Sequence, residues 1–390
     1  MSQAFLPVSR LSLIASPAHR PMSRSTYLEL ASQDVALPIG AELVLKQHPD
    51  AHAVLLDGPR LGRVIEDAAR RFRTPLAFPI MDLQLEKAVL LETLGVPVAD
   101  VAKFHFDAAP DAAQITVVRD RLRSGALTPR MRANNDALRH IAQNTDLVPV
   151  GMCIGPVSLM TKLIADPITP IFMAGAGETA ADNEEVALVE TCLELAVTVI
   201  LESLRHQIAA GAQAVFIAEP AANKVFFSPR QFEADGGALF NRYVFDSNQR
   251  IAALLAEHDV DLLFHCCGEL IDPMLETFTR LRPALLSLGS SRDLVHDAKL
   301  VPDDIVLFGN LPSKQFYSET LIAPDQVEQR GRDLLAAMRA TGHPFILGTE
   351  CDTLHVPGCE TQIWSKVDAL LRCTCGPRPG PRVCVATSVT

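Results

Sequence analysis

The sequence predicts an α/β protein, a (β/α)8 barrel with an N-terminal extension. Three observations predict it. From Val148 onward, short apolar runs rich in β-branched residues alternate with longer stretches of helical period, the pattern of βαβ units feeding a parallel sheet. Six such runs occupy roughly two hundred residues, with room upstream for more, which fits a closed eight-stranded barrel better than an open doubly wound sheet. Several runs also end in a polar or reactive group, as expected where loops at the C-terminal face of a barrel carry the chemistry.

In chain order, residues 1–74 read as an N-terminal extension and helical lead-in. Arg10 and the short apolar run Leu11 to Ala15 lack the hydrophobic region and cleavage site of a secretory leader. Residues 75–372 form the barrel. Its first part, FRTPLAFPIMDLQLEKAVLLETLGV (72–96), suggests a short extended piece and then a helix ending at Gly95. The strand runs follow: VPVGMCIGP (148–156), AVFIAEP (214–220), DLLFHCCG (261–268), PALLSLGS (283–290), DIVLFGNLP (304–312) and PFILGTECD (344–352). Helical periodicity fills the intervals from Leu188 to Ala209, Asn248 to Glu257 and Pro324 to Thr341. Residues 373–390 are a Cys/Pro/Gly-rich tail with little to pack against.

Of the 390 residues, 48% are hydrophobic and 21% charged, and the net charge is −11, which argues against a partner that tracks nucleic-acid phosphates. The most apolar helical stretch, Val186 to Leu204, is interrupted by Glu190, Glu194 and Glu202. Three carboxylates are too costly in hydrocarbon, so it reads as a core helix and not a membrane span. A cytoplasmic protein is expected. The nine cysteines do not have the spacing of a small disulfide scaffold. Cys153 and Cys192 lie inside apolar runs and read as small buried hydrophobes. For Cys373, Cys375 and Cys384 in the tail, a metal site is the weaker reading.

FHCCGEL (264–270) is the sharpest feature. Residues two apart on a strand face the same side, so His265 and Cys267 aim at one spot while Cys266 points toward the helix layer. Imidazole and thiolate are preferred zinc ligands. Two ligands hold an ion poorly, and Cys351, at the end of the last run, can join them because every barrel strand ends at the same mouth. Cys359 is the rival third ligand but follows Pro357-Gly358 and reads as a loop residue. Three protein ligands and an open position describe a catalytic zinc. The competing reading is a core histidine among buried cysteines.

These residues resemble the uroporphyrinogen decarboxylase superfamily, and within it the zinc-dependent methyltransferase branch. The segments that carry the resemblance are GPVSLMTKL (155–163), QIAAGAQAVFIAEPAANKVFFSPRQF (207–232), FHCCG (264–268), LFGNLP (307–312) and ILGTECDTLHVPGC (346–359). It spans residues 75–372 and implies the (β/α)8 barrel. It also implies Zn2+ held by His265, Cys267 and Cys351, and methyl transfer from methylcobalamin on a partner corrinoid protein to a thiol or tetrahydrofolate. The chain has no Asp-x-His-x-x-Gly run of its own for the corrinoid. A homodimer is left open.

The resemblance gives Glu219 and Asn310 a substrate-orienting role, with a helix cap as the equal alternative for Glu219. Gly155 and Pro156 would leave room for backbone approach to the cofactor. Some relatives add a Glu ligand where Gly289 stands here, so the fourth position falls to water, to substrate, or to Glu350 or Glu269. Decarboxylases of the superfamily use an Arg-rich N-terminal segment and no zinc; Arg70, Arg71 and Arg73 lie in a different context. The rival functions are a metal-free decarboxylase or lyase with an acidic mouth, and a scaffold that binds a corrinoid protein without catalysis.

Overall fold

The computed structural model describes residues 24–33 and 35–374. Eight strands form one parallel sheet: β1 (Ala36–Leu37), β2 (Leu76–Ala77), β3 (Val148–Ile154), β4 (Ala214–Ala218), β5 (Asp261–Cys266), β6 (Leu285–Leu288), β7 (Val306–Leu311) and β8 (Phe345–Thr349). Their spatial order is β1-β8-β7-β6-β5-β4-β3-β2, so each strand from β2 on lies beside its successor and β8 returns to β1. Among the described residues no ladder joins β1 to β2, and the sheet is curled with that one seam unpaired.

The curl follows from packing. One apolar cluster takes a side chain from every strand, including Leu37, Leu76, Met152, Phe216, Leu263, Leu285, Phe308 and Ile346. A second, larger cluster lies between the strands and the surrounding helices and holds the alternate positions Cys153, Ile217, Phe264, Cys266 and Leu347. A strand buried on both faces must be apolar throughout, and for that reason six runs were legible without polar alternation. Helix limits follow local chemistry. The helix Glu184–Ala209 starts at Asn183, whose side chain accepts from the Glu185 and Val186 amides. The helix Pro324–Thr341 opens on proline and stops at Gly342, which takes the left-handed conformation (φ 76°).

The boundary expected at residue 75 needs correction. β1 pairs with β8 through Ala36–Leu347 and Leu37–Gly348, so the segment placed ahead of the barrel contributes a strand to the sheet. The helix Arg24–Ser32 inserts Tyr27 and Leu30 into the inner cluster, and Arg24 donates to the carbonyls of Arg282, Pro283 and Asp304, just before β6 and β7. It closes the end of the sheet opposite the strand C-termini. Arg70 and Arg71 end the helix Gly58–Arg71 at the foot of β2, where Arg70 pairs with Asp146 and Arg71 lies over the Trp364 ring. They are at the end away from the mouth. Residues 1–23 and 375–390, with Leu11 to Ala15, Cys375 and Cys384, lie outside the described residues. No helix among the described residues is long and apolar enough to cross a membrane.

Candidate metal centre

His265, Cys267 and Cys351 meet at the C-terminal ends of β5 and β8, and their ligand atoms all lie within 4.8 Å of one another. Strand alternation sorts the cysteines as it must: Cys266 turns outward into the helix-side cluster, with its sulfur 3.7 Å from the Ala222 carbonyl. Cys359 is not in the cluster; it precedes the last helix, Glu360–Arg372, and packs against the outer core.

Two neighbours orient His265. Ser287 is its register partner across the β5–β6 ladder, and the Ser287 hydroxyl lies 2.8 Å from Nδ1. The imidazole stacks on Phe216 of β4, with ring centroids 5.2 Å apart and planes 27° apart. The other ring nitrogen, Nε2, is buried and has no hydrogen-bond partner. A buried imidazole nitrogen left without a partner is costly unless something takes its lone pair. With Nδ1–H donating to Ser287, that lone pair lies on Nε2 and faces the two sulfurs, which is the tautomer a metal requires.

The sulfurs are unequal. Cys267 has the lower pKa of the pair: the proton of the Cys351 thiol, directed at it, pulls its pKa well down against the cost of burial, and the Lys314 charge adds to this. Sharing that proton, with burial added, pushes Cys351 up. Met81, just past β2, places its sulfur 4.0 Å from that of Cys351. Lys314 lies just past β7, where burial lowers its pKa but the negative charges around it, that of Cys267 first, outweigh burial and leave it raised.

Among the described residues no fourth side chain joins the cluster. Gly289 cannot supply one, because even a Cβ there would lie 2.7 Å from the Cys267 carbonyl oxygen and 2.9 Å from its Cα. Glu350 holds Ser290 through one oxygen, which accepts from the amide at 3.1 Å and the hydroxyl at 2.6 Å. Glu269 pairs with Lys224 on the surface. A second group, Asp272, His296 and Asp297, also has ligand spacing, but the Arg292 guanidinium sits between the carboxylates and already supplies the cation.

The other expected site residues are spent on the scaffold. Glu219 is fully buried and accepts four hydrogen bonds: Ser158 amide (2.7 Å) and hydroxyl (2.6 Å), Val157 amide (3.1 Å) and Asn248 amide group (3.2 Å). Burial raises its pKa and those donors pull the other way without cancelling the rise. It caps the helix Pro156–Leu163, the alternative the sequence left open. Gly155 has no Cβ because Glu219 fills that space: a Cβ would lie 2.3 Å from the Glu219 carboxyl carbon. The room expected there for a cofactor is thus taken, and Pro156 serves as the first residue of the helix. Asn310 donates to the carbonyls of Gly289 and Arg292, both at 2.9 Å, and fixes the loop after β6.

Residues 82–360 match the family model for uroporphyrinogen decarboxylase (URO-D). The chain belongs to the uroporphyrinogen decarboxylase family. Among solved structures, a methyltransferase from Methanosarcina mazei shares the fold with a TM-score of 0.61 at 16% identity, over 89% of this chain and 98% of that one. No curated protein sequence matches the chain. Family membership accounts for the curled eight-stranded sheet. Sequence reading missed Ser287, Lys314 and Met81 at the mouth. A serine inside the apolar run PALLSLGS was the one available signal; Lys314 lies in a turn with no periodicity to mark it.

Proposed function

We propose that this member of the uroporphyrinogen decarboxylase family is a zinc-dependent methyltransferase built on a closed (β/α)8 barrel. It would move a methyl group from methylcobalamin on a partner corrinoid protein to a thiol or tetrahydrofolate. The observation that carries the reading is the triad: one buried imidazole nitrogen without a partner and two sulfurs converge from two strand ends, their ligand atoms within 4.8 Å of one another. A nitrogen and two thiolates suit zinc, and three protein ligands leave one position for substrate. When bound, zinc supplies a Lewis acid that stabilises a sulfur acceptor as its thiolate near neutral pH.

The chain's own residues do the rest. Ser287 holds His265 in the ligating tautomer. Phe216 fixes the ring plane and closes the floor with apolar surface. Gly289 seats the Cys267 backbone, and Asn310 holds Gly289 in place. Glu219 keeps the β3 and β4 ends of the mouth together through Ser158. The likeness to a methyltransferase structure supports the same architecture, and the chemistry rests on the triad.

Metal analysis tests the reading directly. One zinc per chain is expected in purified protein, lost from Cys351→Ser and from His265→Ala. Methylcobalamin demethylation in the presence of thiols or tetrahydrofolate should vanish with it. A metal-free chain that decarboxylates or lyases its substrate would establish the rival reading.

A further inference from the structure

The two sulfurs of the triad are placed for a chemistry that needs no metal. Those of Cys267 and Cys351 lie within 4.8 Å of each other, and both residues are half-buried at the mouth. Both backbones are held. Gly289 packs beneath that of Cys267, where even a Cβ would lie 2.7 Å from the carbonyl oxygen, and the Ser313 hydroxyl lies 3.1 Å from the Cys351 carbonyl. A disulfide brings its sulfurs to about 2 Å, so closing the pair takes a movement of side-chain size. The neighbouring thiols are not set up this way. Cys266 is fully buried on the other side of β5, with its sulfur at the Ala222 carbonyl, and Cys359 packs against the outer core.

We propose that Cys267 and Cys351 are a site of reversible oxidation, forming a disulfide with each other when the disulfide of a small thiol enters the mouth. The exchange balances without a further reagent. One cysteine sulfur, as thiolate, attacks the disulfide RSSR. Its S–S bond breaks, RS− leaves and takes up a proton, and a mixed disulfide stays on the chain. The second cysteine then attacks the protein sulfur of that mixed disulfide and releases the second RSH. Two cysteine thiols have given up two electrons and two protons, and RSSR has become two RSH. The new bond uses both sulfurs that a metal would need as thiolates, and His265 alone holds an ion poorly. Disulfide and metal therefore exclude each other, a consequence that rests on the metal reading. With a thiol as methyl acceptor, the reduced thiol is substrate and its oxidised form closes the centre.

The test uses the full chain, reduced and stripped of metal with a chelator, beside the same chain loaded with zinc. Each is exposed to bis(2-hydroxyethyl) disulfide, the disulfide of 2-mercaptoethanol, then blocked with iodoacetamide and digested without reduction. Peptide masses from the metal-free chain should show Cys267 joined to Cys351, both lost to alkylation. The link should persist in Cys266→Ala, which removes the neighbouring thiol from the same peptide. The oxidised chain should take up no zinc, reduction should restore one zinc per chain, and zinc loaded beforehand should block the link. Absence of the Cys267–Cys351 link from metal-free wild type overturns the proposal, as does a link from Cys351 to Cys266 or Cys359. So does a linked chain that still binds zinc. A reduced chain that binds no zinc yet forms the link overturns the metal reading instead and upholds the disulfide.

Discussion

Ser287 stands directly opposite His265 in the β5–β6 ladder, and its hydroxyl lies 2.8 Å from the imidazole Nδ1. The pairing leaves Nε2 without a partner, free for the proposed metal. Ser287→Ala keeps the strand and the fold but leaves Nδ1 unpaired and frees the ring. Partners of this kind change metal affinity by about 10- to 100-fold. We expect zinc affinity, measured by competition with a chromogenic chelator, to fall within that range, while the zinc-free chain loses about 1–3 kcal/mol of stability for the unpaired Nδ1–H.

Gly289→Ala probes the backbone beneath Cys267. The new methyl would lie 2.7 Å from the Cys267 carbonyl oxygen, and what it meets there is backbone that cannot rotate away. Overpacking at such a place costs about 1–3 kcal/mol. The denaturation midpoint should drop accordingly, and bound zinc should fall because Cys267 is displaced. Unchanged zinc content in a stably folded Gly289→Ala chain would show that the Cys267 backbone is less constrained than the packing indicates.

How far the sequence reached depended on whether a feature left a periodic trace. The runs that became β3 to β8 were legible because a parallel strand buried on both faces is apolar at every position. β1 and β2 have two residues each, too short for any pattern, and so the sheet's first strand was left in a lead-in segment. Alternation put His265 and Cys267 on one side of the strand and the shared mouth put Cys351 near them, and the fold brings the three together. The polar strand ends Glu219 and Asn310 looked alike from sequence, yet both are consumed by backbone donors or carbonyls of neighbouring loops, contacts that exist only after folding. The missing ligand at Gly289 was visible as an absence. Its cause, the Cys267 backbone against it, is three-dimensional.

Glu219→Gln separates capping from catalysis. The amide keeps the shape but replaces one acceptor oxygen with a donor that faces Ser158 or the Val157 amide and Asn248. A buried donor facing donors costs about 1–3 kcal/mol. Urea denaturation should show that loss. Zinc content should stay at the wild-type level, since no Glu219 atom belongs to the triad.

Glu86 gives the fold a pH dependence with a definite sign. It is buried between the helix Leu85–Thr93, β3 and the long helix, where Cys153 and Ser203 donate to one oxygen at 3.2 and 3.0 Å and the other oxygen has no partner. Burial raises its pKa from 4.5 to about 7, only partly opposed by those two donors. Between these values the folded chain holds a proton that the unfolded chain has released. The stability is therefore complete below pH 4.5 and is lost as pH rises toward 7, the opposite of a salt-bridged carboxylate. The shift corresponds to about 3 kcal/mol at full ionisation. Glu86→Gln removes the titration, so its stability relative to wild type should improve by an amount of that order between pH 5 and pH 8, read from urea midpoints at each pH. A difference that stays flat across this range would mean that Glu86 titrates at its ordinary value.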